Sequence, residues 1–137
     1  MWWRQWLRTA LLAGCAASCG SGATRFPEAP EGVLWSPEGI EEGRQLYRKS
    51  CLTCHGPLGY GDGPQAGSLR PPPADLRSLS GVRAERGYWF FRIKEGGHGE
   101  PLARPGSAMP AWGDHLSDRQ IWHLVAYLNA LAEGNAP

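Results

Sequence analysis

Apolar side chains in this chain gather into three helical runs separated by long stretches without any period. Between Glu38 and Ser50 the run contains Ile40, Gly43, Leu46 and Tyr47 at helical spacing. Ser36-Pro37 stands before it. A serine hydroxyl accepts from the first unpaired helical amides, and proline suits the first helical position, where its missing N–H would find no partner. The spacing predicts a helix that runs straight into Cys51. A second helix is predicted from about Ala84 to Glu95, with Trp89, Phe90 and Ile93 on one face, Phe91 beside them, and Gly96-Gly97 at its end. The third opens at Ser117, because Ser117-Asp118-Arg119-Gln120 is a capping-box pattern. Ile121, Trp122, Leu124, Val125, Leu128 and Leu131 extend it to about Ala132, and Gly134-Asn135 stop it. No strand alternation and no internal repeat is visible. The pattern is all-α.

The stretches between the helices are built for turns. The chain has 19 Gly and 12 Pro in 137 residues, concentrated in 56–80 and again between Gly96 and Pro110. Loops of that length in a small domain are commonly functional or wrapped on something. A hydrophobic fraction of 42% with 20% charged residues supports one packed domain and excludes wholesale disorder. The formal charge is +1. That balance gives no basic footprint for nucleic acid.

The N-terminus reads as an address. Arg4 and Arg8 supply positive charge, and Thr9 to Gly14 is a short apolar and small-residue stretch ending at Cys15. Leu12-Ala13-Gly14-Cys15 resembles a bacterial lipobox, in which the signal is cut before the cysteine and the sulfur receives a diacylglycerol. The other reading is an ordinary signal peptide cleaved further on. With residues 1–14 removed, twelve basic face thirteen acidic residues. Cys19 receives no function. The expected organisation is a signal over 1–14, a Gly/Ser/Pro-rich tether over 15–35, a domain over 36–133 and a tail over 134–137. A strap packed on the domain, beginning near Trp35, is the alternative for the end of the tether.

The chemistry sits in Cys51-Leu52-Thr53-Cys54-His55. Two cysteines two residues apart, followed at once by histidine, form the haem-attachment signature. Residues i and i+3 lie on one side of a helical turn, so both sulfurs reach the two vinyl groups on one porphyrin edge. The next residue then offers its imidazole to the iron. A redox dithiol would call for a βαβ setting, and half a zinc site would call for a second pair of ligands; the pattern supplies neither. For the opposite face of the iron, Met109 is the one thioether left once Met1 is removed, and it lies on a loop in Ser107-Ala108-Met109-Pro110. A buried core methionine is the competing reading. His98, on the Gly97-His98-Gly99 loop, is its rival; His115 and His123 read as surface or interface residues.

These residues resemble class I c-type cytochromes over roughly 36–132. Gly43-Arg44-Gln45-Leu46-Tyr47 leading to Cys51-x-x-Cys54-His55-Gly56 is similar to that family's first helix and motif, and Met109-Pro110 with Ile121 to Leu131 is similar to its ligand loop and last helix. The resemblance implies a cytochrome c fold: three main helices and long loops around one covalently attached haem c. Cys51 and Cys54 would form the thioethers, and His55 and Met109 the axial ligands. It also implies a close crossing of first and last helices with Gly43 facing Tyr127. A proline carbonyl behind the imidazole belongs to the same pattern, with Pro71, Pro72 and Pro73 all candidates and Pro73 the first choice. Trp89, Phe90, Leu46, Ile121 and Leu128 are expected to keep water from the cofactor.

An iron with both axial places filled has no room for substrate, so the expected role is one-electron transfer and not catalysis. Partners would be a quinol-oxidising complex, a terminal oxidase or a periplasmic reductase, met by a tethered carrier or by a fixed subunit of such a complex. The expected location is the periplasmic side of a bacterial membrane, lipid-anchored through Cys15. The alternative is a peroxidase-like haem enzyme or gas sensor with a labile sixth ligand.

Overall fold

The computed structural model describes residues 26–78 and 85–137. It contains α1 over Pro37–Ser50, α2 over Leu52–His55, α3 over Arg86–Glu95 and α4 over Asp118–Ala132, with single 3-10 turns at Val33–Trp35, Ala66–Ser68 and Gly96–His98. Among the described residues there is no strand. The three main helices match the hydrophobic pattern. Ala84, the expected start of α3, falls outside the described residues, as do the export signal with Cys15, and Cys19. The fourth, very short helix was not foreseen. Cys51 closes α1 by donating its backbone N–H to the Tyr47 carbonyl at 2.8 Å, and its own carbonyl then accepts from Cys54 and His55 at 3.2 and 2.9 Å.

The caps are those the sequence indicates. Gly39 N–H donates to Ser36 Oγ at 2.8 Å. At α4, Gln120 N–H donates to Ser117 Oγ at 3.3 Å and Ser117 N–H donates to Gln120 Oε1 at 3.0 Å, a reciprocal capping box.

The helix α4 is the core. Every residue from Ile121 to Leu131 is buried. The two polar members are satisfied: His123 Nδ1 meets Glu42 Oε2 at 2.9 Å, and Asn129 Nδ2 donates to Glu133 Oε1 at 3.0 Å. α1 crosses α4 at Gly43. A Cβ there would lie 2.0 Å from the His123 backbone oxygen and 2.9 Å from Tyr127 Cβ, so only a residue without a side chain permits the approach. One turn on, the Tyr47 and Tyr127 rings pack at 5.2 Å. α3 lies on the other side of α4, with Phe90 stacked on Trp122 at 4.5 Å.

Part of the expected tether is a strap. Phe26 is 5% exposed and packs edge-on to Tyr88 at 5.8 Å, while Val33 and Leu34 lean on the same core. Trp35 itself is largely exposed, with Arg86 over its ring. Among the described residues no helix is long and apolar enough to cross a membrane.

Replacing Gly43 by Ala forces the two longest helices apart against a backbone atom, and overpacking of that kind costs about 3 kcal/mol. Gly67→Ala, where a Cβ would meet nothing within 4 Å, is the control. Guanidinium denaturation is expected to show a lower midpoint for Gly43→Ala and a Gly67→Ala midpoint close to the parent. Equal midpoints for the two variants would contradict the close crossing.

Candidate functional site

The four-residue helix α2 cannot satisfy its own carbonyls, and the glycine-rich loop after it does so. Gly56 N–H donates to Leu52 O at 2.8 Å, Gln65 N–H to Thr53 O at 3.0 Å, Gly63 N–H to Cys54 O at 3.1 Å and Gly61 N–H to His55 O at 2.9 Å. The Tyr47 hydroxyl donates to Gly56 O at 2.6 Å. The loop is therefore a backbone harness for the Cys51–His55 turn. It then doubles back: Leu76 N–H donates to Gly59 O at 2.7 Å, which brings the Pro71-Pro72-Pro73-Ala74 segment beside His55.

His55 Nδ1 lies 3.1 Å from the Ala74 carbonyl. A carbonyl only accepts, so Nδ1 bears the proton and Nε2 keeps its lone pair. Burial holds the imidazole below its usual range, partly offset by that hydrogen bond, and so favours the neutral, metal-binding form. Ala74 corrects the expectation of Pro73. The turn places the Pro73 carbonyl toward Gly61 instead, where an added Cβ would come within 2.5 Å of it.

Cys51, Cys54 and His55 face a cavity of about 1020 Å³, part of it continuous with solvent. Met109 lines the same cavity from another segment. Its loop is pinned to the end of α3: Gly97 N–H donates to Met109 O at 2.9 Å, Arg104 N–H to Gly97 O at 2.7 Å, and Met109 N–H to Ser107 Oγ at 3.3 Å. A Cβ on Gly97 would lie 2.0 Å from Ser107 Oγ, and one on Gly96 2.6 Å from the backbone of Pro110 and Ala111. The sequence marks these glycines only as a helix stop; their second task is to let the methionine loop lie directly on the helix end.

The histidine rivals are elsewhere. His98 and His115 are exposed, His123 is paired with Glu42, and none of the three lines the cavity. Of the residues expected to exclude water, Trp89 and Leu128 do line it, joined by Ile93 and Leu124. Phe90, Leu46 and Ile121 do not; Phe90 turns to Trp122, and Ile121 is fully buried in the helix core.

Both cysteines of the motif are unbridged thiols. Burial, with the neighbouring Cys54 adding to it, pushes the Cys51 thiol up to about 12, the opposite of what a reactive redox dithiol needs. Among the described residues no group of three or more His, Cys, Asp and Glu side chains gathers, which leaves the zinc alternative without ligands there.

Residues 38–128 match the family model described as Cytochrome C oxidase, cbb3-type, subunit III. The chain belongs to this family of c-type cytochromes. The cytochrome is 32% identical over 111 residues to a thiosulfate dehydrogenase of Stutzerimonas stutzeri (strain A1501), covering 77% of this chain and 31% of that protein. It is 30% identical over 104 residues to the quinohemoprotein alcohol dehydrogenase ADH IIB of Pseudomonas putida, covering 76% of this chain and 13% of that protein. It thus spans less than a third of the length of either curated relative. Among solved structures it is similar to a chain of the reducing HAO-like protein complex of Kuenenia stuttgartiensis, with 26% identity and a TM-score of 0.58 over 77% of this chain and 50% of that one. The crystal structure of cytochrome cL from Methylophaga aminisulfidivorans shares the fold at 21% identity and a TM-score of 0.54, over 80% of this chain and 71% of that one.

Family membership gives residues 38–128 the character of an electron-transferring cytochrome domain with covalently attached haem c. The cavity fits such a group. Its walls are mostly apolar, and they carry two thiols, a neutral imidazole and a thioether. The charged residues among the lining are Arg92 and Arg104, with no carboxylate. An apolar ring system with vinyl groups and an acidic rim is the complementary shape and charge.

Proposed function

We propose that Cys51 and Cys54 form the two thioethers to the haem and that His55 and Met109 bind its iron axially. The observation that carries the reading is that all four side chains line one cavity, while the competing histidines do not. When bound, the group supplies a single iron that exchanges one electron. The chain's own residues do the rest. The Ala74 carbonyl orients His55 and raises its basicity. The Gly97–Met109–Arg104 backbone links hold the methionine loop in place. Trp89, Ile93, Leu124 and Leu128 exclude water, which disfavours the more highly charged ferric state. Thioether ligation favours the reduced state as well, so the reduction potential is positive.

The same reading makes the protein an exported carrier, tethered through a lipid on Cys15 to the periplasmic side of a bacterial membrane. It passes electrons between respiratory redox proteins: a quinol-oxidising complex on one side and a terminal oxidase or periplasmic reductase on the other. Two curated relatives bear the names of dehydrogenases, and this chain matches only a part of each, which supports a relay module working beside a catalytic unit. Tethering replaces free diffusion by a high local concentration. A diacylated cysteine contributes roughly 0.8 kcal/mol for each methylene buried in the bilayer, and two chains give a stable anchor.

Met109→Ala is expected to abolish the near-red methionine–ferric charge-transfer band, lower the potential at least tenfold in the one-electron equilibrium, and open the ferrous iron to carbon monoxide. An unchanged spectrum would remove Met109 as ligand. Cys15→Ala is expected to move the protein from the membrane to the soluble fraction. Membrane association that survives both this substitution and a high-salt wash would count against the lipid anchor.

A further inference from the structure

Arg92 is a buried cation without an anion. It is 6% exposed, lies within α3, and makes no ion pair among the described residues. Its Nη1 donates to Gly96 O at 3.0 Å and its Nη2 to Leu102 O at 2.5 Å. The guanidinium carbon lies over the Tyr88 ring, 5.6 Å from its centroid. Nε is buried with no hydrogen-bond partner among the described residues, on a side chain that lines the cavity. A buried charge with an unmet donor is costly, so the contacts of its other two nitrogens are what hold it there.

The two carbonyls it holds define what it does. Gly96 and Leu102 bracket the first part of the segment that leads to Met109, and Gly97, inside the bracket, donates to Met109 O and accepts from Arg104 N–H. One planar fork therefore fixes both ends of the turn on which the methionine loop is hung. Lysine has no such fork.

We propose that Arg92 is the positioning residue of the sixth ligand: Nη1 and Nη2 latch the loop that carries Met109. This rests on the axial reading of Met109 given above. The Arg92 charge also lies beside the cavity and favours the less positive ferrous state. Among the described residues no acidic side chain lines the cavity beside it.

The test compares Arg92→Gln and Arg92→Lys with Met109→Ala in the holoprotein. Arg92→Gln is expected to weaken or abolish the near-red band, admit carbon monoxide, and lower the midpoint at least tenfold in the equilibrium, about 59 mV for one electron. Arg92→Lys is expected to recover much of the potential, because the charge returns, but neither the band nor the resistance to carbon monoxide, because one ammonium cannot span both carbonyls. Wild-type band and resistance in both variants, or their full rescue by lysine, overturns the latch. If the glutamine variant does not mature, the lysine variant decides on the same two signals. In the unsubstituted holoprotein, proton NMR is expected to show a slowly exchanging Arg92 Nε–H; fast exchange with solvent also overturns it. Loss of the band in Met109→Ala with its retention in both Arg92 variants sinks the latch alone. Retention of the band in Met109→Ala sinks the ligand reading instead.

Discussion

The structure turns on a helix too short to support itself. Leu52–His55 has four carbonyls and no following turn to pair them, yet it presents both motif cysteines and the histidine. The chain from Gly56 to Gln65 exists in this form to supply the four missing donors, and Tyr47 adds a hydroxyl to the junction. A carbonyl left unpaired there would cost about 1–3 kcal/mol, so the harness fixes the motif far more rigidly than helix propensity would. Rigidity at this point is what covalent attachment at two sulfurs and axial binding by the adjacent residue require together.

The cavity wall that bears Met109 is built by a different device. Its loop has no helix of its own. It borrows the end of α3 through Gly96, Gly97, Ile93 and Lys94: Trp112 and Gly113 donate to the carbonyls of the last two at 3.0 Å each. Since α3 and α1 both pack on α4, the two walls are referred to one buried helix. Displacing α4 would move the imidazole and the thioether relative to each other. The close crossing at Gly43 is thus a geometric requirement of the site as much as a contribution to stability.

Most of this architecture was legible in the chain, for physical reasons that differ from part to part. Helical periodicity and the caps at Ser36 and Ser117 depend on local interactions and came through closely. The Cys51–His55 motif was legible because its spacing encodes the chemistry directly. The Gly43–Tyr127 contact was reachable only through resemblance, since nothing in either helix alone demands the other. Other features escaped. Ala74 in place of Pro73 depends on how one long loop folds back, which proline content does not determine. The turn of Ile93 and Leu124 toward the cavity, and of Phe90 away from it onto Trp122, depends on how α3 is rotated against α4. Arg92 drew no reading from the sequence; its burial is visible only in the fold, where Nη2 donates to the Leu102 carbonyl. A signal was nonetheless present: an arginine facing the same side as Trp89 and Ile93, four residues before a Gly-Gly pair.

In the proposed function, one iron porphyrin is bonded through both sulfurs of a single turn. Express the full chain in a bacterium that assembles c-type haem, digest the purified protein, and weigh the peptide that holds residues 51–55. The account predicts one haem added to that peptide, retained after acid-acetone extraction, with neither thiol open to alkylation. A colourless chain whose two cysteines both take up the alkylating reagent would contradict it.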